Sequence, residues 1–242
     1  MDDTTTPDGT GPITVTVTDG VAVIDLDDGK ANALGFDVLA GLESALDRAE
    51  ADDVSAVVIV GREGKFSAGF DLKVMTSGPE GARDMLGRGA LLGLRMYMFP
   101  KPVVLAVTGH ALAMGAILLC CADVRVGADG PFKIGLNEVA IGMPVPAFAV
   151  GICQDRLAIP AFTAAIQLAR IHSPAEALAA GFLDEVVDVA AVRDRAVDVA
   201  AELGTRLHRG PFRVTRETVR GPVAERLRSE LTADLSVFDV SS

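Results

Sequence analysis

The sequence predicts one α/β domain extended at its C terminus by helices, and three observations predict it. Short β-branched runs at Thr14–Val17, Val21–Leu26, 56–60 and Val103–Val107 alternate with segments whose apolar residues recur at helical spacing. Two small-residue turns, Phe66-Ser67-Ala68-Gly69-Phe70-Asp71-Leu72 and His110-Ala111-Leu112-Ala113-Met114-Gly115-Ala116-Ile117, each stand between an apolar run and a helix-like stretch. From Val189 onward the pattern is helical without further strand signals.

In chain order, the two first runs form a hairpin, because Asp19-Gly20 between them favours positive φ. Residues 36–51 repeat Val38, Leu39, Leu42, Ala45 and Leu46 on one face and read as a helix leading to the strand at 56–60. Residues 61–65 close that strand before the Phe66 turn. Residues 76–99 are rich in Gly, Met and Arg, with helical runs over 82–98, and read as a mobile segment covering a substrate. Pro100-Lys101-Pro102 punctuates before Val103–Val107, and the apolar helix from Met114 to Ala122 follows the second turn. Val124-Arg125-Val126 and Phe132-Lys133-Ile134 read as strands, 147–157, 161–170 and 174–180 as helices, and 183–187 as a last strand. The organisation expected is a lead-in over 1–12 without stable structure, a core over 13–188 and a helical region over 189–242, broken at Gly210-Pro211 and Gly221-Pro222 into two or three segments.

A chain of 242 residues, half of them hydrophobic, can bury roughly 70–75% of its unfolded surface in one core. With 22 basic against 33 acidic residues the net charge is −11, which argues against nucleic-acid or anionic-membrane partners. The three cysteines, Cys120, Cys121 and Cys153, lie in apolar runs without disulfide or metal-ligand spacing, so a reducing cytoplasm and no bound metal are expected. The N terminus lacks the positive charge and apolar core of a signal peptide, and the apolar stretch 111–122 is too short to span a bilayer.

Two helix openings can aim backbone N–H groups at one oxygen, as a thioester carbonyl becoming an enolate requires; losing one such donor typically costs about 2.7–4 kcal/mol. The first turn resembles the F-x-A-G-x-D-L signature of the crotonase superfamily, the enoyl-CoA hydratase/isomerases, and the second resembles its G-x-A-x-G-G-G segment. The block Ile134-Gly135-Leu136-Asn137-Glu138-Val139-Ala140-Ile141-Gly142 is similar to the acid-bearing loop of that family, and Gly29-Lys30-Ala31-Asn32-Ala33-Leu34 and Ser173-Pro174-Ala175-Glu176-Ala177 add family-like signals. The resemblance runs from about Ile13 to Val187, three quarters of the chain.

The resemblance implies the crotonase fold, repeated ββα units forming a spiral core, with a C-terminal helical trimerisation region and assembly as homotrimers or hexamers. It implies an acyl-CoA thioester as substrate, with coenzyme A part of that substrate and no separate cofactor. Its two oxyanion donors fall on the N–H groups of Phe70 and Met114. Lys30, Ala31, Ala68 and Asp71 fall where the family handles the adenine and phosphate end of coenzyme A, and Gly69, Leu72 and Asn137 fall among its substrate contacts. The family usually has Gly where this chain has Met114, a substitution that bears on any positive φ at that position.

Hydration of an enoyl thioester is most simply served by two carboxylates. Of the family's pair, the first corresponds here to Ile117, which moves no proton and becomes an acyl-pocket candidate, and the second to Glu138 after a two-residue insertion. The apolar neighbours of Glu138 favour its protonated form if it is buried. One carboxylate suffices to move a proton between C2 and C4, so the pattern is closest to the Δ3,Δ2-enoyl-CoA isomerase branch: 3-enoyl-CoA to trans-2-enoyl-CoA in fatty-acid β-oxidation. A hydratase acting on 2-enoyl-CoA and a catalytically silent acyl-CoA-binding subunit stay open as alternatives. Asp71 reads as a turn or ligand-positioning residue, Asp123 as a helix end, Asp84 and Asp155 as solvated, His110 as structural, and His172 and His208 as tail or surface residues. Val145-Pro146-Ala147 stands where the family commonly has a Gly pair and leaves the acyl pocket's shape open.

Overall fold

The computed structural model describes residues 11–237, so all of the lead-in expected over 1–12 except Gly11 and Pro12 lies outside the described residues. Strands β1 (Ile13–Thr18) and β2 (Val21–Leu26) pair antiparallel. Asp19 and Gly20 between them take φ of 50° and 78°, the left-handed pair that matches the twist of a tight hairpin. The chain continues through β3 (Ala33–Leu34), α1 (Phe36–Ala49), β4 (Ala56–Gly61), β5 (Gly64–Ser67), β6 (Gly69–Phe70), α2 (Leu72–Met75) and α3 (Pro79–Tyr97). Then follow β7 (Val103–Val107), β8 (Gly109–Leu112), α4 (Met114–Cys121), β9 (Val124–Ala128) and β10 (Ile134–Gly135). After a 3₁₀ turn at Val139–Ile141 come α5 (Ala147–Arg156), α6 (Ile159–Ile166), α7 (Pro174–Ala180), β11 (Glu185–Val187), α8 (Val192–Arg206) and α9 (Arg209–Val237).

A six-stranded sheet runs β1-β2-β4-β7-β9-β11, parallel from β2 onward, and a smaller parallel sheet runs β10-β8-β5. Three inner strands of the large sheet each feed one strand of the small sheet, β4 into β5, β7 into β8 and β9 into β10, while β2 leads into β3, which pairs with β6. That repetition is the ββα spiral expected of the core. Covered on both faces, β4 is apolar and buried throughout. Its Val57 and Ile59 face the main core, while Ala56, Val58 and Val60 pack with Val192, Ala196 and Ala200 of α8 on the other face.

Three expectations change. Residues 64–67 and 109–112, read as loop and turn, are strands; their glycines and short length hide the alternation that marks a strand. Phe132 and Lys133 lie outside β10, which holds only Ile134 and Gly135. The helical tail is not broken at Gly221-Pro222, since α9 runs through both Gly-Pro pairs. Pro211 sits in the first turn, where its missing N–H costs nothing, and Pro222 is an exposed interior proline.

What holds α9 through that defect is its docking. Arg216 donates to both carboxylate oxygens of Asp123 at 2.6 Å and to the Phe99 carbonyl at 2.6 Å, and Arg220 reaches Asp123 at 3.0 Å and the Tyr97 carbonyl at 2.9 Å. Asp123 also accepts from the Val103 N–H at 2.8 Å. Ala224, Leu227 and Leu231 bury the apolar stripe of the same helix. Asp123 is thus more than the helix-end residue read from sequence. Asp123→Ala leaves two guanidinium groups without their carboxylate, Arg216 buried among them, and is expected to lower unfolding free energy by about 3–5 kcal/mol in denaturant titration. Tyr97, whose hydroxyl donates to Asp155 at 2.5 Å, likewise makes Asp155 a docked rather than a solvated carboxylate.

Candidate active site

The first turn is built by the end of β5. Ser67 Oγ donates to the Asn32 carbonyl at 2.7 Å and accepts from the Gly69 N–H at 3.2 Å. Asn32, fully buried with φ of 52°, returns its amide to the carbonyls of Leu26 at 2.7 Å and Phe66 at 3.2 Å. The Ala68 N–H donates to Ala31 at 3.1 Å and that of Asp71 to Leu34 at 3.3 Å. These bonds stitch the 30–34 segment to the turn, leaving Lys30 and Ala68 exposed. Asp71 caps α2, accepting the Lys73 N–H at 2.8 Å, in keeping with a turn residue. N–H groups alternate along a strand, and with Asp71 donating back to Leu34 the Phe70 N–H faces the opposite side.

The second turn meets the first directly. A Cβ on Gly69 (φ 90°) would lie 2.8 Å from Ala113 Cβ and 3.2 Å from Met114 N, and a Cβ on Gly115 would lie 2.6 Å from the Ser67 carbonyl oxygen. Glycine alone permits that approach. The positive φ of this turn belongs to Ala113, at φ 49° and ψ −126°, and not to Met114, which opens α4 in helical conformation. Met in place of the family's Gly therefore costs no backbone strain, while Ala113 carries strain of about 1–3 kcal/mol. As the first residue of α4, Met114 holds one of the N–H groups that a helix leaves without an internal partner. The Met114 side chain is buried.

Strand β10 pairs with β8 in register Ile134↔Ala111 and Gly135↔Leu112, and the Ala113 N–H donates to Gly135 at 3.0 Å. The loop that follows is thereby fixed to the second turn. Its Glu138 carbonyl accepts from Ile141 at 3.0 Å and Met143 at 2.9 Å, Leu136 anchors it in the core, and the Glu138 side chain turns into a cavity of about 240 Å³. Ala68, Phe70, Leu72, Ala113, Ile117 and Asn137 line the same cavity, whereas Met114, Lys30, Ala31, Gly69 and Asp71 of the predicted site are not among its lining residues. Met75, Leu86, Ile141, Met143, Pro144 and Pro146 complete it; Pro146 was read only as bearing on the acyl pocket's shape, and the others, all apolar, were not singled out as site residues. The region read as a mobile cover is the packed helix α3, which contributes Leu86.

Glu138 is 5% exposed and its Oε2 has no hydrogen-bond partner among the described residues. Burial pushes its carboxyl up from the ordinary 4.5, against the smaller opposing pull of its own and Asn137's backbone. His110 is structural, its Nδ1 accepting the Lys133 N–H at 2.9 Å. His172 departs from the surface reading: it is buried, tied to Ile134 by two backbone bonds of 2.8 and 3.0 Å, with its imidazole pushed below 6.5 by burial. Asp84 pairs with Arg88 on the exposed face of α3. No group of three or more potential metal-binding side chains occurs among the described residues.

The family model described as Enoyl-CoA hydratase/isomerase matches residues 16–241. The chain belongs to the enoyl-CoA hydratase/isomerase family. It is similar to the mitochondrial enoyl-CoA delta isomerase 1 of Mus musculus, 33% identical over 224 residues, covering 90% of this chain and 77% of the relative. Among solved structures, an enoyl-CoA isomerase from Mycobacterium tuberculosis superposes with a TM-score of 0.90 at 42% identity, covering 95% of this chain and all of that one. An enoyl-CoA hydratase from Mycobacterium marinum superposes at 0.89 with 41% identity and the same coverage. The fold is the crotonase fold, with a C-terminal helical region, and the chain is an enzyme of this hydratase/isomerase family.

An unpartnered buried carboxylate lowers stability once ionised, and the sign follows from the raised value. The folded state holds the proton more tightly than the unfolded state, so the group's stabilising contribution is complete below the unfolded value of about 4.3 and is lost as pH rises through the folded one. Glu138→Gln is therefore expected to unfold later than the parent at pH 7–8, by about 1–3 kcal/mol, with the advantage vanishing near pH 4 in a thermal-melt series.

Proposed function

We propose that this enzyme shifts the double bond of 3-enoyl-CoA thioesters to the trans-2 position, with Glu138 as the one proton carrier. The observation that carries this reading is that Glu138 is the only ionisable side chain lining the cavity among the described residues, with Ile117 where a second carboxylate would stand. The thioester oxygen takes hydrogen bonds from the N–H groups of Phe70 and Met114, and the N-terminal end of α4 adds its positive dipole. Carboxylate Glu138 removes a proton from C2, and the C2–H electron pair moves toward the carbonyl to give a dienolate with its charge on the oxygen. Neutral Glu138 then returns the proton to C4, the C3=C4 bond becomes C2=C3, and the thioester carbonyl reforms. No water is consumed. Positioned proton transfer of this kind supplies about 10²–10⁴ in rate.

At the other end, exposed Lys30 offers a cation beside the first turn for the phosphates of coenzyme A, held near it by the Ala31···Ala68 bond. The relatives' names support an acyl-CoA substrate and include both isomerases and hydratases. Homotrimers or hexamers in the cytoplasm belong to the same proposal; Ile159 and Leu168, exposed at 90% and 72%, supply apolar surface for contact between copies.

The test offers 3-hexenoyl-CoA and 2-hexenoyl-CoA separately and follows product mass and conjugated-thioester absorbance. Isomerisation of the first without mass change is expected; gain of one water on the second with no isomerisation would make the protein a hydratase. Because the carboxylate form starts the reaction, kcat/KM should fall on the acid side with a midpoint above 4.5, burial having raised it.

A further inference from the structure

Two cavities meet at one segment. Pro144 and Pro146 line both the Glu138 cavity and a groove of about 450 Å³ between α5 and α9. The groove adds Val145, Val150, Gln154 and Arg226 to its walls. Pro146 at its floor is buried, whereas Gln154 and Arg226 at its rim are exposed. Arg226 lies 3.4 Å from Glu230, and Asp234, which also borders the groove, is engaged by the Ala147 and Phe148 N–H groups at 3.1 and 3.3 Å. The floor is thus apolar, and the charged groups have partners of their own.

We propose that this groove is a distal subsite for the far end of a long acyl chain, entered from the Glu138 cavity past Pro144 and Pro146. This rests on the acyl-CoA reading of the site and names its substrate class as medium-to-long-chain thioesters. The cavity alone falls below the roughly 300–1,000 Å³ of most small-molecule sites, and the cavity with the groove falls inside that range. The dividing segment suits a passing hydrocarbon, because neither proline has an N–H that an apolar chain would leave unpaired. It is also held in place, by the Met143 N–H on the Glu138 carbonyl at one end and by Asp234 at the other. The sequence Val145-Pro146-Ala147, which departs from the family's usual glycines, is this partition. Helix α9, through Asp234, holds the α5 end of that partition.

The experiment measures binding of the saturated, non-reacting esters hexanoyl-CoA and dodecanoyl-CoA by isothermal titration below their micelle concentrations. Turnover of 3-hexenoyl-CoA and 3-dodecenoyl-CoA is followed alongside. Each buried methylene is worth about fourfold in affinity, so dodecanoyl-CoA is expected to bind at least about tenfold more tightly. Val150→Phe fills the groove, and exposed Gln154→Trp fills it from the rim without touching the core. Both should cut the length advantage to about threefold or less while leaving hexanoyl-CoA binding unchanged. Equal affinity for the two esters, or an advantage that survives both variants, would overturn the subsite. A changed sedimentation mass in the variants with the advantage intact would assign the groove to a second copy instead, and also overturn it. A length advantage without turnover of either enoyl ester would support the groove while removing the isomerase reading.

Discussion

The close contact between the two small-residue turns is the constraint on which the site depends. Gly69 sits against Ala113 and Met114, and Gly115 sits against Ser67, each at a distance where a β-carbon would force the backbones apart. The contact brings the end of β6 and the start of α4 side by side. It is held from behind by the Asn32 and Ser67 hydrogen bonds, and the strained backbone of Ala113 is fixed by its N–H bond to Gly135 and by the close approach of Gly69. The ββα repetition serves the contact: β5 and β8 are adjacent in the small sheet, so the turns that follow them are adjacent too.

Glu138 uses the same sheet. Pairing of β10 with β8 carries its loop to the edge of the second turn, and burial of Ile134 and Leu136 turns the carboxylate toward the cavity instead of toward solvent. A buried, unpartnered acid is a cost to folding, of the kind that persists where chemistry uses it. The apolar lining around it, Ile117 included, leaves Glu138 as the one ionisable side chain on that cavity among the described residues.

Much of this was legible in the sequence, and the misses share a cause. The hairpin, α1, β4, β7 and α4 show in local periodicity, and the turns and the Glu138 loop show in short motifs that need no distant partner to be read. What escaped depends on contacts across the chain. Asp123 holds a helix 93 residues away, His172 is buried because its backbone bridges Ile134, and α9 runs through Pro222 because Arg216, Arg220, Leu227 and Leu231 dock it on either side of the defect. The apolar half of the cavity, Leu86, Met143, Pro144 and Pro146, is assembled from α3, read as a segment covering the substrate, and from the loop before α5, read as bearing on the acyl pocket's shape, but no single residue in either stretch carries a mark of its own. Asn32 was readable as part of a motif but not as the latch it forms.

The central claim is that one carboxylate moves the proton, and Glu138→Gln tests it most directly, with kcat on 3-hexenoyl-CoA and the Kd of hexanoyl-CoA measured on the same preparation. Loss of about 10²–10⁴ in kcat with an unchanged Kd is the result this account predicts. A variant that turns over 3-hexenoyl-CoA at the parent rate would contradict it.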